Sequence, residues 1–194
     1  MKYLLIFLIL LLCAFNAFGS LFNTKNILMI VPPENFRDEE LFVPKGIFEE
    51  NGYKVEIASA KTDAGMVKGV SGVQARVNLL LSEVMVDRYD AVVLVGGPGA
   101  QIFWEDVQVM LIVQEAKTKH RIVGAICIAP VTLANAGLLK GKKATVFKTE
   151  APKIKAKGAE YVPVEVVVDD GIVTASGPFE SEEFAYKILE ELQK

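Results

Sequence analysis

Residues 122–130 constrain this chain more than any other stretch. Ile122, Val123 and Ile126 make an apolar, β-branched run that leads straight into Cys127, and Pro130 follows three residues later. Proline is tolerated in a first helical turn, where its missing N–H has no partner in any case. Leu133 and Ala136 continue a helical spacing, and Gly137 is a C-terminal stop. A strand, a sharp turn bearing a nucleophile and then a helix is the order of a nucleophile elbow, which exposes the side chain at the carboxyl edge of a sheet. A helix N-terminus beside the sulfur favours thiolate over thiol. The same residues also describe a buried structural cysteine at a strand end, because free cysteine is among the most buried side chains.

Other runs repeat the theme. Residues 26–31 and 91–95 are solid apolar segments of strand length, as expected of strands buried on both faces, and residues 54–60 form another strand. Pro32 and Pro33 end the first. Asp38, Glu39 and Glu40 then open a helix with carboxylates in its first turn, where the dipole favours them. Pro44 is expected to restart or kink that helix, which closes at Asn51-Gly52. Residues 65–78, rich in Gly and Val, predict a short hairpin lying over the sheet. Residues 91–95 run into Gly96-Gly97-Pro98-Gly99, which has neither the GxGxxG spacing nor a P-loop Lys-Ser/Thr. That loop is a tight turn or a backbone N–H donor beside a site.

Residues 107–119 predict an amphipathic helix, residues 144–147 a short strand and residues 151–157 a short helix. Residues 161–168 and 172–176 flank Asp169-Asp170-Gly171, a hairpin signal. A last helix carries Phe184, Ile188 and Leu192 on one face. Strands alternating with helices, each strand a solid apolar run, mean an α/β fold with a mainly parallel sheet covered on both sides. Ligand sites in such sheets lie at the carboxyl ends of the strands. Three loops converge there: the one leading to Glu40, the glycine loop and the elbow.

At 194 residues and 52% hydrophobic, the chain can bury the core of one domain, read as residues 25–194. Ahead of it, Met1-Lys2, an apolar run over residues 3–15 and Ala17-Phe18-Gly19 have the layout of a signal peptide, residues 1–19. The run is short for a membrane span. Cleavage after Gly19 removes Cys13 and leaves Cys127 without a disulfide partner. An exported protein, periplasmic or otherwise extracytoplasmic and with no stable membrane span after cleavage, is expected. The net charge of −3 is too balanced for a nucleic-acid partner. One histidine and one cysteine, widely separated, make no metal ligand set, and no cofactor is expected.

Phe36-Arg37-Asp38-Glu39-Glu40-Leu41, the segment from Tyr89 to Gly97, Ala125-Ile126-Cys127-Ile128-Ala129-Pro130 and Ser176-Gly177-Pro178 at the start of the last helix occur in order. Together they resemble the ThiJ/PfpI superfamily, which includes the parkinsonism-linked deglycase and PfpI-type peptidases. The resemblance covers residues 25–194. It implies a flavodoxin-like three-layer sandwich similar to class I glutamine amidotransferase domains, and a homodimer. It also implies that Cys127 is the nucleophile, Glu40 the carboxylate that hydrogen-bonds the sulfur, and the backbone N–H groups of Gly97 and Ile128 the oxyanion hole. A carboxylate beside a thiolate is repulsive unless one proton is shared by the pair.

The departures count equally. PfpI-type members carry His directly after the cysteine, where this chain has Ile128, and the partner acid of some of them falls at Arg37. His120 lies seven residues before Cys127, at the far end of the same strand, on the order of 20 Å away. A Cys-His-Asp hydrolase is therefore disfavoured. Two functions remain: addition of Cys127 to a reactive carbonyl such as methylglyoxal or a glycated substrate, in a glyoxalase- or deglycase-like enzyme, or a non-enzymatic redox-sensing or chaperone-like role for an oxidisable Cys127. The helix terminus is expected to bring thiolate formation below the free-cysteine value of about 8.5.

Overall fold

The computed structural model describes residues 25–194. The expected signal peptide lies outside the described residues. Among these, twelve strands form one large sheet and two small ones. They are β1 (Asn26–Ile30), β2 (Glu34–Phe36), β3 (Lys54–Ser59), β4 (Met66–Gly69), β5 (Gln74–Arg76), β6 (Leu79–Leu80), β7 (Ala91–Leu94), β8 (Ile122–Ile126), β9 (Lys143–Ala144), β10 (Glu160–Tyr161), β11 (Val166–Asp169) and β12 (Ile172–Ala175). Five α-helices accompany them: α1 (Asp38–Glu50), α2 (Val107–Thr118), α3 (Pro130–Asn135), α4 (Ala151–Ala156) and α5 (Ser181–Leu192).

The central sheet runs β11-β12-β8-β7-β1-β3-β6, parallel except for the β11 edge. Its solid apolar strands follow from two covered faces. Leu28, Val92 and Val123 point to one side, where Val109, Val113 and Ala116 of α2 meet them. Ile27, Met29 and Val93 point to the other, against Leu41 and Phe48 of α1 and Phe184 and Ile188 of α5. This is the expected three-layer arrangement.

The order of the strands locates the site. From β1 the chain goes outward to β3, then returns to place β7 on the other side of β1. Loops leaving the carboxyl ends of β1 and β7 therefore diverge, opening the crevice where open α/β sheets hold ligands. β8 pairs with β7, so its carboxyl end borders the same crevice.

Four local expectations need adjustment. First, α1 runs through Pro44 without a break, the missing N–H leaving only the Glu40 carbonyl without that intrahelical donor. Second, the hairpin of residues 65–78 exists as β4 and β5, but it extends β2 into a separate three-stranded sheet. Third, of the strand expected over residues 144–147 only Ala144 lies in a strand, β9, because the backbone bonds are diverted further along. There the Thr145 N–H donates to the Thr174 hydroxyl at 2.9 Å and the Phe147 N–H to the Cys127 carbonyl at 2.8 Å. Fourth, residues 161–168 split into β10 and β11, and Pro163 lies in the gap between them.

Candidate active site

Cys127 sits one residue past β8 with φ of 61°, the left-handed conformation that a sharp strand-to-helix turn imposes on its nucleophile. The strain is held from both sides. The Cys127 N–H donates to the Ala175 carbonyl at 2.9 Å, and its carbonyl accepts from Phe147. Beyond it, Pro130 occupies the first position of α3 as expected. The helix ends on a Schellman motif: the Gly137 N–H (φ 79°) donates to Ala134 and the Leu138 N–H to Leu133, each at 3.0 Å.

Glu40 reaches the sulfur from the first turn of α1 and is fully buried. The hairpin braces the start of that helix. The Ser71 N–H donates to the Asp38 carboxylate at 3.0 Å, and the Val70 N–H to the Phe36 carbonyl at 2.9 Å. Gly96 makes room for the carboxyl. A Cβ there would lie 2.5 Å from Glu40 Oε2, 2.6 Å from the Ile126 carbonyl and 2.8 Å from Cys127 Cβ. Gly97 has φ of 93°, and a side chain would run into the backbone of Asn35, Phe36 and Arg37. The glycine loop is thus a tight turn that brings the Gly97 N–H to the sulfur and the Gly96 N–H to the Glu40 carboxyl.

The electrostatics follow from this packing. Neither Glu40 oxygen has a well-formed hydrogen bond, so burial dominates and pushes its pKa from 4.5 up to about 8. The nearby Cys127 thiol, the Gly96 N–H and the Arg37 charge offset only part of that. Burial likewise pushes the Cys127 thiol up to about 12, and a negative charge on Glu40 would add to it. The N–H groups of Gly97 and Ile128 act in the opposite sense on the sulfur. This overturns the expectation of an acidic cysteine. Cys127 is only 9% exposed, and α3 has six residues, too short a helix for its terminus to outweigh desolvation.

One cavity of about 610 Å³ joins these residues: Cys127, Glu40, Gly97, Ile128 and Arg37 all line it. Every site residue expected from the sequence is therefore brought together. Arg37, standing where some PfpI-type members have an acid, lies 2.9 Å from the exposed Glu39 carboxylate through its Nε. His120 lies at the opposite edge of the sheet, beside a small cavity shared with Tyr53, Asp90 and Arg121. No histidine lines the Cys127 cavity among the described residues, and these hold no cluster of His, Cys, Asp and Glu suited to a metal ion. Sequence reasoning missed Phe147, Lys148, Thr149 and Phe179 as lining residues. The first three follow the truncated β9, so no local pattern marked them.

The family model for the DJ-1/PfpI family matches residues 25–191. The chain belongs to the DJ-1/PfpI family. Among its relatives, the protein named deglycase TK1284 of Thermococcus kodakarensis is 34% identical over 150 residues, covering 77% of this chain and 89% of the relative. The glutathione-independent glyoxalase DJR-1.2 of Caenorhabditis elegans is 28% identical over 169 residues, covering 87% and 89%. Among solved structures, a ThiJ/PfpI domain protein from Brachyspira murdochii superposes with a TM-score of 0.85 at 35% identity, covering 88% of this chain and 97% of that one. The flavodoxin-like sandwich of this DJ-1/PfpI member is the fold of that neighbour.

Proposed function

We propose that this DJ-1/PfpI protein converts reactive 2-oxoaldehydes, free or bound as adducts, to 2-hydroxy acids. The observation that carries the reading is the pairing of Cys127 with a buried, proton-holding Glu40 at the floor of a cavity where two backbone N–H groups point at the sulfur. The names deglycase and glyoxalase borne by relatives support it.

The chemistry needs only these groups. When the pair holds one proton, thiolate adds to the aldehyde carbon while the Glu40 carboxyl protonates the carbonyl oxygen, giving a hemithioacetal. The Glu40 carboxylate next takes the hydrogen from that carbon as a proton. After the enediol moves a proton between its oxygens, Glu40 returns one to the neighbouring carbon. The aldehyde carbon is oxidised and the ketone carbon reduced, so the product is a thioester of the 2-hydroxy acid and no external oxidant is required. Water then cleaves the S–C bond, one proton returning to Glu40. In this reading the N–H groups of Gly97 and Ile128, which act on the sulfur in the free protein, take up the charge that develops on oxygen.

The test is lactate formation from methylglyoxal by purified protein. Cys127→Ala is expected to abolish it, and Glu40→Gln to lower kcat by about 10²-fold or more. His120→Ala should stay within about twofold of the parent, since His120 is at the other sheet edge. Lactate production that survives Cys127→Ala, or none from the parent protein, would overturn the reading.

A further inference from the structure

The cavity is far larger than the smallest 2-oxoaldehydes need. About 610 Å³ lies within the range of pockets that hold drug-sized ligands, whereas methylglyoxal has only five heavy atoms. Cys127 and Glu40 occupy its buried end. Its remaining wall is largely apolar, with Pro98, Ile128, Phe147, Pro178 and Phe179 all contributing.

The two phenylalanines stand out for their exposure. Phe179 is 96% exposed, on the short turn that leads from β12 into α5, and Phe147 is 43% exposed. A phenyl ring left in water forgoes the whole gain of burial. Phe147 is nonetheless held in place. Its N–H donates to the carbonyl of Cys127, and its Cδ2 lies 3.8 Å from the point where a Cβ on Gly177 would sit, next to Pro178-Phe179. The two rings therefore belong to one rim, and the backbone ties that rim to the nucleophile. Two of the charged lining residues already have partners, Arg37 in Glu39 and Glu150 in Lys153. Lys148 and Glu180 also line the wall, so the apolar surface of the two phenylalanines lies among a few charged groups.

We propose that Phe147 and Phe179 form a subsite for an aromatic or branched-aliphatic group attached to the reacting carbonyl, and set the specificity of the site. The identity of the reacting group rests on the carbonyl reading above; the apolar subsite does not. A ligand that buries a phenyl group there should bind roughly ten- to hundredfold more tightly than its methyl counterpart. Aromatic contact with the two rings adds to this.

Two measurements separate the subsite from the chemistry. The first is calorimetric binding of phenylacetamide and acetamide to the Cys127→Ser protein, in which the nucleophile is blunted. Phenylacetamide should bind at least tenfold more tightly, and adding Phe147→Ala or Phe179→Ala should reduce that preference severalfold. Because Phe179 is almost wholly in solvent, its replacement leaves the core untouched, and circular dichroism verifies the fold of both variants. The second is kcat/KM for phenylglyoxal, yielding mandelate, against methylglyoxal, yielding lactate. The parent should favour phenylglyoxal at least tenfold, chiefly through KM. Equal binding of the two amides, or a preference that both phenylalanine variants leave intact, overturns the subsite whatever the turnover. A binding preference without turnover of either aldehyde upholds the subsite and removes the carbonyl reading instead.

Discussion

Glu40 shows how one buried carboxyl links stability to reactivity. Its pKa rises from 4.5 to about 8 because folding takes it out of water without supplying well-formed hydrogen bonds. In the unfolded chain it ionises near its ordinary value; in the native protein it keeps its proton. Between these two pH values the native state binds more protons than the unfolded state, so stability falls as pH rises. Below pH 4.5 the group contributes no difference, and above about pH 8 the penalty is constant. Glu40→Gln should therefore flatten the decline in melting temperature between pH 4.5 and 8 and melt above the parent at pH 8. Parallel melting curves for the two proteins would mean that Glu40 is ionised in the fold. The same group sets the pH–rate profile. The Cys127–Glu40 pair loses its first proton near pH 8, leaving one to share, so kcat/KM should climb through that pH and then level off. Strand, turn and proline alone left Cys127 either an elbow nucleophile or a buried structural cysteine, and the four motifs taken together favoured the elbow. The rise of its pKa was not legible, since it depends on Glu40, which is distant in sequence, and on the depth of the pocket.

At the scale of elements, the elbow is well fixed because α5 lies hard against β8. Gly124 permits this: a Cβ there would come within 2.8 Å of Ile188 Cδ1, 3.0 Å of Phe184 Cζ and 3.4 Å of Val93 Cγ2. Gly124→Ala should cost about 1–3 kcal/mol by overpacking, read from the midpoint of chemical denaturation. Gly46, in the middle of α1 with nothing within 4 Å of where a Cβ would sit, gives the opposite sign. Gly46→Ala should stabilise by about 0.5–1 kcal/mol through helix propensity. If both glycines respond alike, close packing of α5 on β8 is not what governs this region. The strands and α5 were legible because their apolar periods are dictated by burial. The stretch after β9 was not. Thr145 and Phe147 look β-forming, yet their N–H groups bond to the Thr174 side chain and the elbow carbonyl in place of a ladder.

At the scale of the whole molecule, the site exists because the chain reverses direction across the sheet at β1. Cys127, Glu40 and Gly97 leave three different strands and meet only because β1, β7 and β8 are neighbours. His120 is excluded by the same geometry, one strand length away at the other edge. Lys2, the apolar run and Ala17-x-Gly19 lead us to propose export, with a mature chain that begins at Ser20. Mass spectrometry of the native protein should find that terminus in the extracytoplasmic fraction; an intact Met1 in the cytosolic fraction would refute it. No helix among the described residues is long and apolar enough to cross a membrane.

By itself, the sequence determined what depends on local period and local backbone chemistry. Solid apolar runs required strands covered on both faces, Asp-Asp-Gly required the β11–β12 turn, and Pro130 and Gly137 delimited the helix after the cysteine. The resemblance carried by four motifs in register implied roles for Glu40, Gly97, Cys127 and Ile128, and the cavity contains them all. Tertiary structure decided everything that depends on what lies across space from a residue. It buried the sulfur deeply enough for desolvation to outweigh a six-residue helix, and it left Glu40 holding its proton. It also gathered Phe147 and Phe179, thirty-two positions apart, onto one rim. Desolvation and cavity shape are sums over neighbours from many segments, and a linear pattern carries no record of those sums.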